Sequence, residues 1–420
     1  AGAPWLGLKL AEIKDLDAAL VVGSFLRKDH PLFAQRLRQL AKKSGKVSLL
    51  SVCADDSLIK LHAQRAVAPD DLPMALAAVV KAAAQIKSVA VSVELESVEV
   101  CETSKAIAES LLAGEKAAIF LGNVAEQSAQ AGMLHALAVE LAKLAGVRVG
   151  FIGEAANSLG GYVAKALPTA LNAYEMFAQP RKAYVLLGLD PELDCHNPQL
   201  AVAALKQAAL VVMLTSFKHE VALDYADVLL PLAPFTETSG SYVNTEGRLQ
   251  SFSGVCRPLG DSRPGWKVLR VLGNTLALPS FEYESSEQVR DEILPLGTDF
   301  VDGLDNGING VAVHLEAAKV ALQRIADVPI FFADPLVRRG LALQQTRDAA
   351  VPTARMNAET MSQCGVAEGL RAHVKQGAGE AVLMARQDET VPTGCLRIAA
   401  AHASTAALGD MFGEITVERA

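Results

Sequence analysis

The chain has 420 residues, room for two or three domains with large cores. It is 51% apolar but only 5% aromatic, which favours packed helices and buried parallel strands over an all-β sandwich, and its formal net charge of −8 leaves no basic field for nucleic acid or anionic lipid. Mean hydropathy is +0.24, yet the nearest membrane candidate, Leu200 to Phe217, carries Lys206 and Gln207 and falls short of the roughly 20 apolar residues a span needs; no charged n-region precedes an apolar h-region either.

Leu16 to Leu50 reads as a βαβ unit. Ala18 to Val22 is an apolar run stopped by Gly23, Phe33 to Lys43 has helical spacing with basic residues in its last turn, and Val47 to Val52 is the next strand. A crossover of that length implies parallel pairing. Helices are predicted over Asp70 to Lys87, with Asp70 or Asp71 as cap and Pro73 in the first turn, and over Ser104 to Ala113, ended by Gly114.

The pattern then repeats. A strand over Ala117 to Leu121 ends at Gly122-Asn123, a long helix covers Ser128 to Ala145, and a strand over Val147 to Ile152 ends at Gly153. A small-residue loop to Gly161 and a helix near Tyr162 to Leu167 follow. A third unit has strands at Ala183 to Leu187, Leu210 to Leu214 and Val228 to Leu230, with a helix over Gln199 to Gln207. Strands that end in Gly, Asn, Asp or Thr before a helix have the composition of a nucleotide-binding rim.

Tyr225 to Gln250 is the most informative stretch: a short apolar run, a hydroxyl-rich turn, then a β-arch in which Gly247 is free to take positive φ. It reads either as a ligand loop at a strand end or as a surface hairpin whose polar residues satisfy one another. Beyond it, helices are predicted at Pro264 to Leu276 and Ser285 to Leu294, a glycine-rich linker at Asp302 to Gly310, and a helix over Gly310 to Ala326. Ala381 to Ala385, Cys395 to Ala400 and Glu414 to Glu418 read as short strands of a small β-containing tail.

Motifs for chemistry are few. The glycine-punctuated strand ends lack a strict GxGxxG, and no GxxxxGK[ST] occurs, although helix N-termini still offer N–H groups to a phosphate. Cys53, Cys101, Cys195, Cys256, Cys364 and Cys395 stand far apart, so disulfides and thiolate metal sites are not indicated, and buried free thiols in a reducing compartment are expected. The eight histidines form no HxxxH or HExxH pattern. His219-Glu220 follows a strand end, but no partner carboxylate or nucleophile is identifiable, which leaves a polar loop with Glu220 near a helix start. Asp55-Asp56 and Asp70-Asp71 read as exposed turn or cap carboxylates.

Five segments carry a family resemblance: LDAALVVGSFLRKDHPLFAQRLR at 16–38, GEAANSLGG at 153–161, residues 225–248, RPLGDSRPGWKVLRVLG at 257–273, and the tail from Val391. On these the chain resembles the C-terminal, molybdopterin oxidoreductase-like region of the large peripheral-arm subunit of bacterial NADH:quinone oxidoreductase (respiratory complex I), in the formate dehydrogenase/DMSO reductase superfamily. The resemblance implies an α/β fold of Rossmann-like doubly wound parallel sheets with a small β-containing C-terminal module. It implies an α/β region over 1–300, in halves of about 1–150 and 151–300, a linker and helix over 301–330, and an α+β module over 331–420.

It further implies a piece of a longer protein, since the family's 2Fe-2S and 4Fe-4S clusters belong to an N-terminal region with closely spaced cysteines. The implied role is a non-catalytic scaffold for electron transfer from NADH to quinone, inactive alone. Its partners would be that N-terminal iron–sulfur domain and the other hydrophilic subunits of complex I, and its place cytoplasmic and peripheral to the inner membrane. The pterin cofactor is expected to be absent, with no catalytic and no metal-binding residues. If pterin-binding positions carry over as a relict pocket, they fall on Gly122, Asn123, Gly153, Asn157, Gly160, Gly188, Asp190, Glu237, Asn244, Glu246 and Arg248. The alternative is a fragment of an active molybdopterin-dependent, formate dehydrogenase-like oxidoreductase.

Overall fold

The computed structural model describes residues 2–294, 301–315 and 321–420. Its first sheet has five parallel strands: β1 (Ala18–Val22), β2 (Lys46–Ser51), β3 (Ala63–Ala66), β4 (Ala117–Leu121) and β5 (Arg148–Phe151), in the order β3-β2-β1-β4-β5. That order is the Rossmann arrangement, with the strand sequence reversing between β1 and β4. β1 and β4 are buried along their whole length because helices cover both faces. Pro31–Lys42 packs with Leu37 and Leu40 on one face; Leu72–Lys87, Glu102–Ala113 and Ala131–Ala145 pack on the other.

Most first-sheet elements lie within a residue or two of their sequence-based limits. β3 has no such signal, since its sequence AQRA lacks an apolar run and sits on an edge. No side chain caps Leu72–Lys87, so Asp71 stands at the cap position without the expected bond. Ala131–Ala145 begins three residues later than expected, behind a separate short helix, Asn123–Gln127. The helix expected near Tyr162 instead spans Ser158–Val163.

β6 (Ala183–Leu187), β7 (Leu210–Thr215) and β8 (Val228–Pro231) form a second, three-stranded parallel sheet in sequential order. Pro198–Gln207 covers one face through Ala204 and Leu205, while Val185 and Leu187 on the other face are exposed. β9 (Gly240–Val243) and β10 (Leu249–Phe252) form an antiparallel ribbon, so the expected β-arch is a hairpin, and Gly247 has φ +83° as its turn requires.

The third sheet holds seven strands: β11 (Gln323–Ile325), β12 (Ala354–Met356), β13 (Arg371–Gln376), β14 (Gly379–Gln387), β15 (Cys395–Arg397), β16 (Phe412–Glu414) and β17 (Thr416–Arg419). Its order is β16-β11-β15-β12-β14-β13-β17. Only Ile415 separates the two outermost strands in sequence, so the sheet must curl until its edges nearly meet. β11 overturns part of the helix expected over Gly310 to Ala326. Residues 311–315 are irregular and 321–326 carry the strand, while 316–320 lie outside the described residues. The pairings of Gln323 with Cys395 and Glu414 decided that stretch, not its local propensity.

The glycine-rich stretch after residue 301 is a brace as much as a linker. Asn306 accepts from the Trp5 amide at 2.9 Å and donates to the carbonyls of Trp5 and Val149 at 2.9 and 2.8 Å. Trp5 also accepts from the Phe151 amide at 2.8 Å, and the Leu6 amide reaches Thr245 at 2.7 Å. The outer edge of β5 is thereby closed by segments distant in sequence. No helix among the described residues is long and apolar enough to cross a membrane.

Candidate functional site

In an open α/β sheet, ligands bind beyond the carboxyl ends of the strands where the order reverses. Here that place lies between the ends of β1 and β4. Gly23 follows β1 with φ +64°; an added Cβ would lie 2.6 Å from the Ala125 amide nitrogen, so the two turns interlock. The Ala125 amide donates to the Gly23 carbonyl at 3.2 Å. Gly122 is equally confined, with a Cβ falling 2.5 Å from that of Ser24.

Asn123 donates its side-chain amide to Asp29 at 2.7 Å, while its own side-chain oxygen is buried without a partner. Burial pushes the Asp29 carboxyl up to about 6, although the Asn123 bond works the other way. Burial lowers neighbouring His30 to about 4. The two act oppositely on stability. A raised carboxyl pKa in the folded state means stability falls as pH rises from about 4 to about 6; a lowered imidazole pKa means it rises from about 4 to about 6.5. Relative to the parent chain, Asp29→Asn should steepen the increase of the urea midpoint with pH across that window, and His30→Gln should turn it downward. Parallel profiles for all three proteins would show that neither group senses the crevice.

The third sheet closes this crevice. Arg397 is nearly buried, lies 4.7 Å over the Phe25 ring, and ion-pairs with Asp327 at 3.0 Å and Asp55 at 2.7 Å. Asp55 is thus no free turn carboxylate. Phe25, Cys53, Val124, Ile325, Val391 and Cys395 form one apolar cluster across the same junction.

The other residues singled out from sequence fall into separate places. Gly153, at φ +83°, meets Thr245, and Asn157 accepts from the Val243 amide at 2.9 Å. A Cβ at Gly160 would stand 1.9 Å from the Asn157 oxygen, so a larger residue there would have to displace the Asn157 side chain. Asn244 accepts from the amides of Glu246 and Arg248 at 3.2 and 2.9 Å, and Glu246 accepts from the Leu10 amide at 2.9 Å. Arg248 is exposed beside Glu246. The ribbon is thus held in part by its own turn and in part by the loop after β5 and the segment at Leu10. Glu237 stands apart and accepts from the Leu259 amide at 3.0 Å.

Gly188, at φ +68°, and Asp190 follow β6. Asp190 is fully buried between Arg338 at 3.1 Å and Arg339 at 2.9 Å, with His219 at 3.2 Å. His219 also faces Glu192 at 3.6 Å and caps Glu220–Leu223. The carboxylate partner that sequence alone did not supply for His219 comes from the end of a different strand.

A cavity of about 510 Å³ lies elsewhere again. It is lined by Val52 and Asp70 from the first region, Gln127 and Ser128 after β4, Tyr174 and His196, and Gln323, Asp410, Phe412 and Glu414 of the third sheet. None of the residues expected for a pterin pocket lines it. Three carboxylates face it, with no lysine or arginine, and burial lowers the pKa of His196. Among the described residues no group of histidine, cysteine or carboxylate side chains is arranged to hold a metal. All six cysteines are free; Cys53 and Cys395 are buried as expected, but Cys256 is exposed.

Residues 1–275 match the molybdopterin oxidoreductase family. The chain belongs to that family. Two formate dehydrogenase-like proteins of Staphylococcus aureus are 34% and 33% identical over 111 residues, which is 26% of this chain and 11% of those relatives' length. Acetylene hydratase from Pelobacter acetylenicus superposes on the whole chain and 80% of its own, with a TM-score of 0.70 at 13% identity, a likeness of fold. The superfamily fold inferred from the five segments is thus the fold of this oxidoreductase-family chain.

Proposed function

We propose that the chain is a scaffold portion of the large peripheral-arm subunit of an NADH:quinone oxidoreductase, without catalysis of its own. In this reading it braces an iron–sulfur-bearing N-terminal region and the neighbouring hydrophilic subunits at the membrane surface while electrons pass from NADH to quinone. The assignment to that subunit is motivated by segments 16–38 and the tail from Val391.

The observation that carries the non-catalytic reading is the chemistry of the two places where the fold would hold a cofactor. A molybdopterin group bears phosphate and calls for cationic or amide donors. The 510 Å³ cavity offers Asp70, Asp410 and Glu414 and no lysine or arginine. At the β1–β4 crevice Arg397 is already committed to two aspartates, Lys28 to Asp348, Arg355 to Asp388 and the Ala125 amide to Gly23, while Arg27 stands exposed on the same rim. The cavity does not fit the group, and most cations of the crevice are already paired with carboxylates. Positions such as Gly122, Asn157, Gly160 and Asp190 are then inherited ones that serve packing.

Elemental analysis of the purified chain for molybdenum and tungsten, with fluorescence of an acid-oxidised extract for pterin, tests this. Background levels are expected. Stoichiometric metal or pterin would overturn the reading and favour a molybdopterin-dependent oxidoreductase.

A further inference from the structure

At the end of the first sheet opposite the crevice, the chain carries an open groove of about 680 Å³. It lies where Pro31–Lys42 ends and β2 begins, against the segment that leads into β3. Its walls carry four exposed cations, Arg38, Lys42, Lys46 and Lys60, and no carboxylate lines it. Among the described residues none of the four is ion-paired; the neighbouring Lys43 turns away to Asp15 at 3.0 Å. On a chain of net charge −8 this is a local reversal of sign.

The floor is apolar. Ala41 and Leu61 are half-buried against the core, and Leu58 is 50% exposed beside them. Leu58 has φ +56°, a conformation unfavourable for a bulky side chain, and its amide donates a hydrogen bond to the Asp56 carboxylate at 2.9 Å. Lysine at the end of Pro31–Lys42 partly answers the helix dipole, but Lys46 and Lys60 lie outside that helix.

We propose that this groove is a docking surface for an acidic polypeptide segment that carries an apolar side chain among its carboxylates. Charge complementarity selects an anionic partner, and uncompensated lysines steer its approach. The concave apolar floor suits a side chain and not a lipid headgroup layer. No phenylalanine, tyrosine or tryptophan lines the groove, and its His62 is engaged with the Ala106 carbonyl at 3.2 Å, so single-stranded nucleic acid would find little surface for stacking.

The test uses a short fluorescein-labelled peptide of glutamates around one leucine, followed by anisotropy at low ionic strength. The parent chain should bind it, and the double variant Lys42→Glu, Lys60→Glu should bind roughly tenfold more weakly, since two attractions become repulsions. Raising salt to about 0.15 M should weaken binding, and a glutamine version should not bind. Both substituted lysines are exposed, so an unchanged melting temperature will confirm that the variant is folded. No binding by the parent chain, equal binding by the variant, or displacement of the peptide by anionic vesicles or single-stranded RNA would overturn the proposal.

Discussion

Replacing Arg397 by leucine should cost about 3–5 kcal/mol of stability, the largest loss expected from any single substitution here. The guanidinium is nearly buried and ties three separate pieces of chain together: Asp327 after β11, Asp55 after β2 and Phe25 after β1. Removing it strands two aspartates near each other at the junction of the first and third sheets. The cost belongs to the unpaired charges and not to the pair itself, because a buried ion pair roughly balances its own desolvation. The triple variant Arg397→Leu, Asp55→Asn, Asp327→Asn should therefore recover much of the loss. Urea unfolding of the three proteins decides it. A single-variant loss below about 1 kcal/mol would mean that water already reaches the site.

Asp190→Ala should be the second most damaging change, at about 3 kcal/mol or more. Asp190 is fully buried and accepts from both Arg338 and Arg339, which come from the segment just before the helix at Leu341–Gln344. Arg338 keeps Asp194 at 2.7 Å, but Arg339 is left with the Pro335 carbonyl and the Phe217 ring. The readout is protease sensitivity near residues 335–345 together with the denaturant midpoint. If both are unchanged, Asp190 is free to serve a ligand, as its place at the end of β6 suggests from sequence.

What the sequence revealed follows from how each element is held. β1 and β4 are buried apolar runs and β6 a half-exposed one, all three closed by glycine, so apolar content and punctuation locate them to the residue. β3 and β11 carry AQRA and QRI and exist through their pairings, which no local pattern reports. Rim positions were likewise visible at Gly122, Gly153, Gly188 and Asp190, since strand ends are legible. Their partners were not. Asp190 meets arginines almost 150 residues away, and Arg397 sits inside a strand where an arginine ordinarily signals an exposed face. The Tyr225 to Gln250 stretch had two readings open; Asn244 closes its own turn, while Val243, Thr245 and Glu246 bond to Asn157, Leu6 and Leu10, partners that no local pattern reports.

The clasp on the outer edge of β5 bears on the order in which this protein is made. Trp5 and Leu6 are made before β5, which is finished by Phe151, yet several of the groups that fasten them belong to Thr245 and Asn306. At typical synthesis rates of about 5–20 residues per second, roughly eight to thirty seconds pass between Phe151 and Asn306, during which the Phe151–Trp5 bond holds that edge without the Asn306 clasp. Translation speed, and not the finished fold, sets how long that edge stays open to a wrong neighbour.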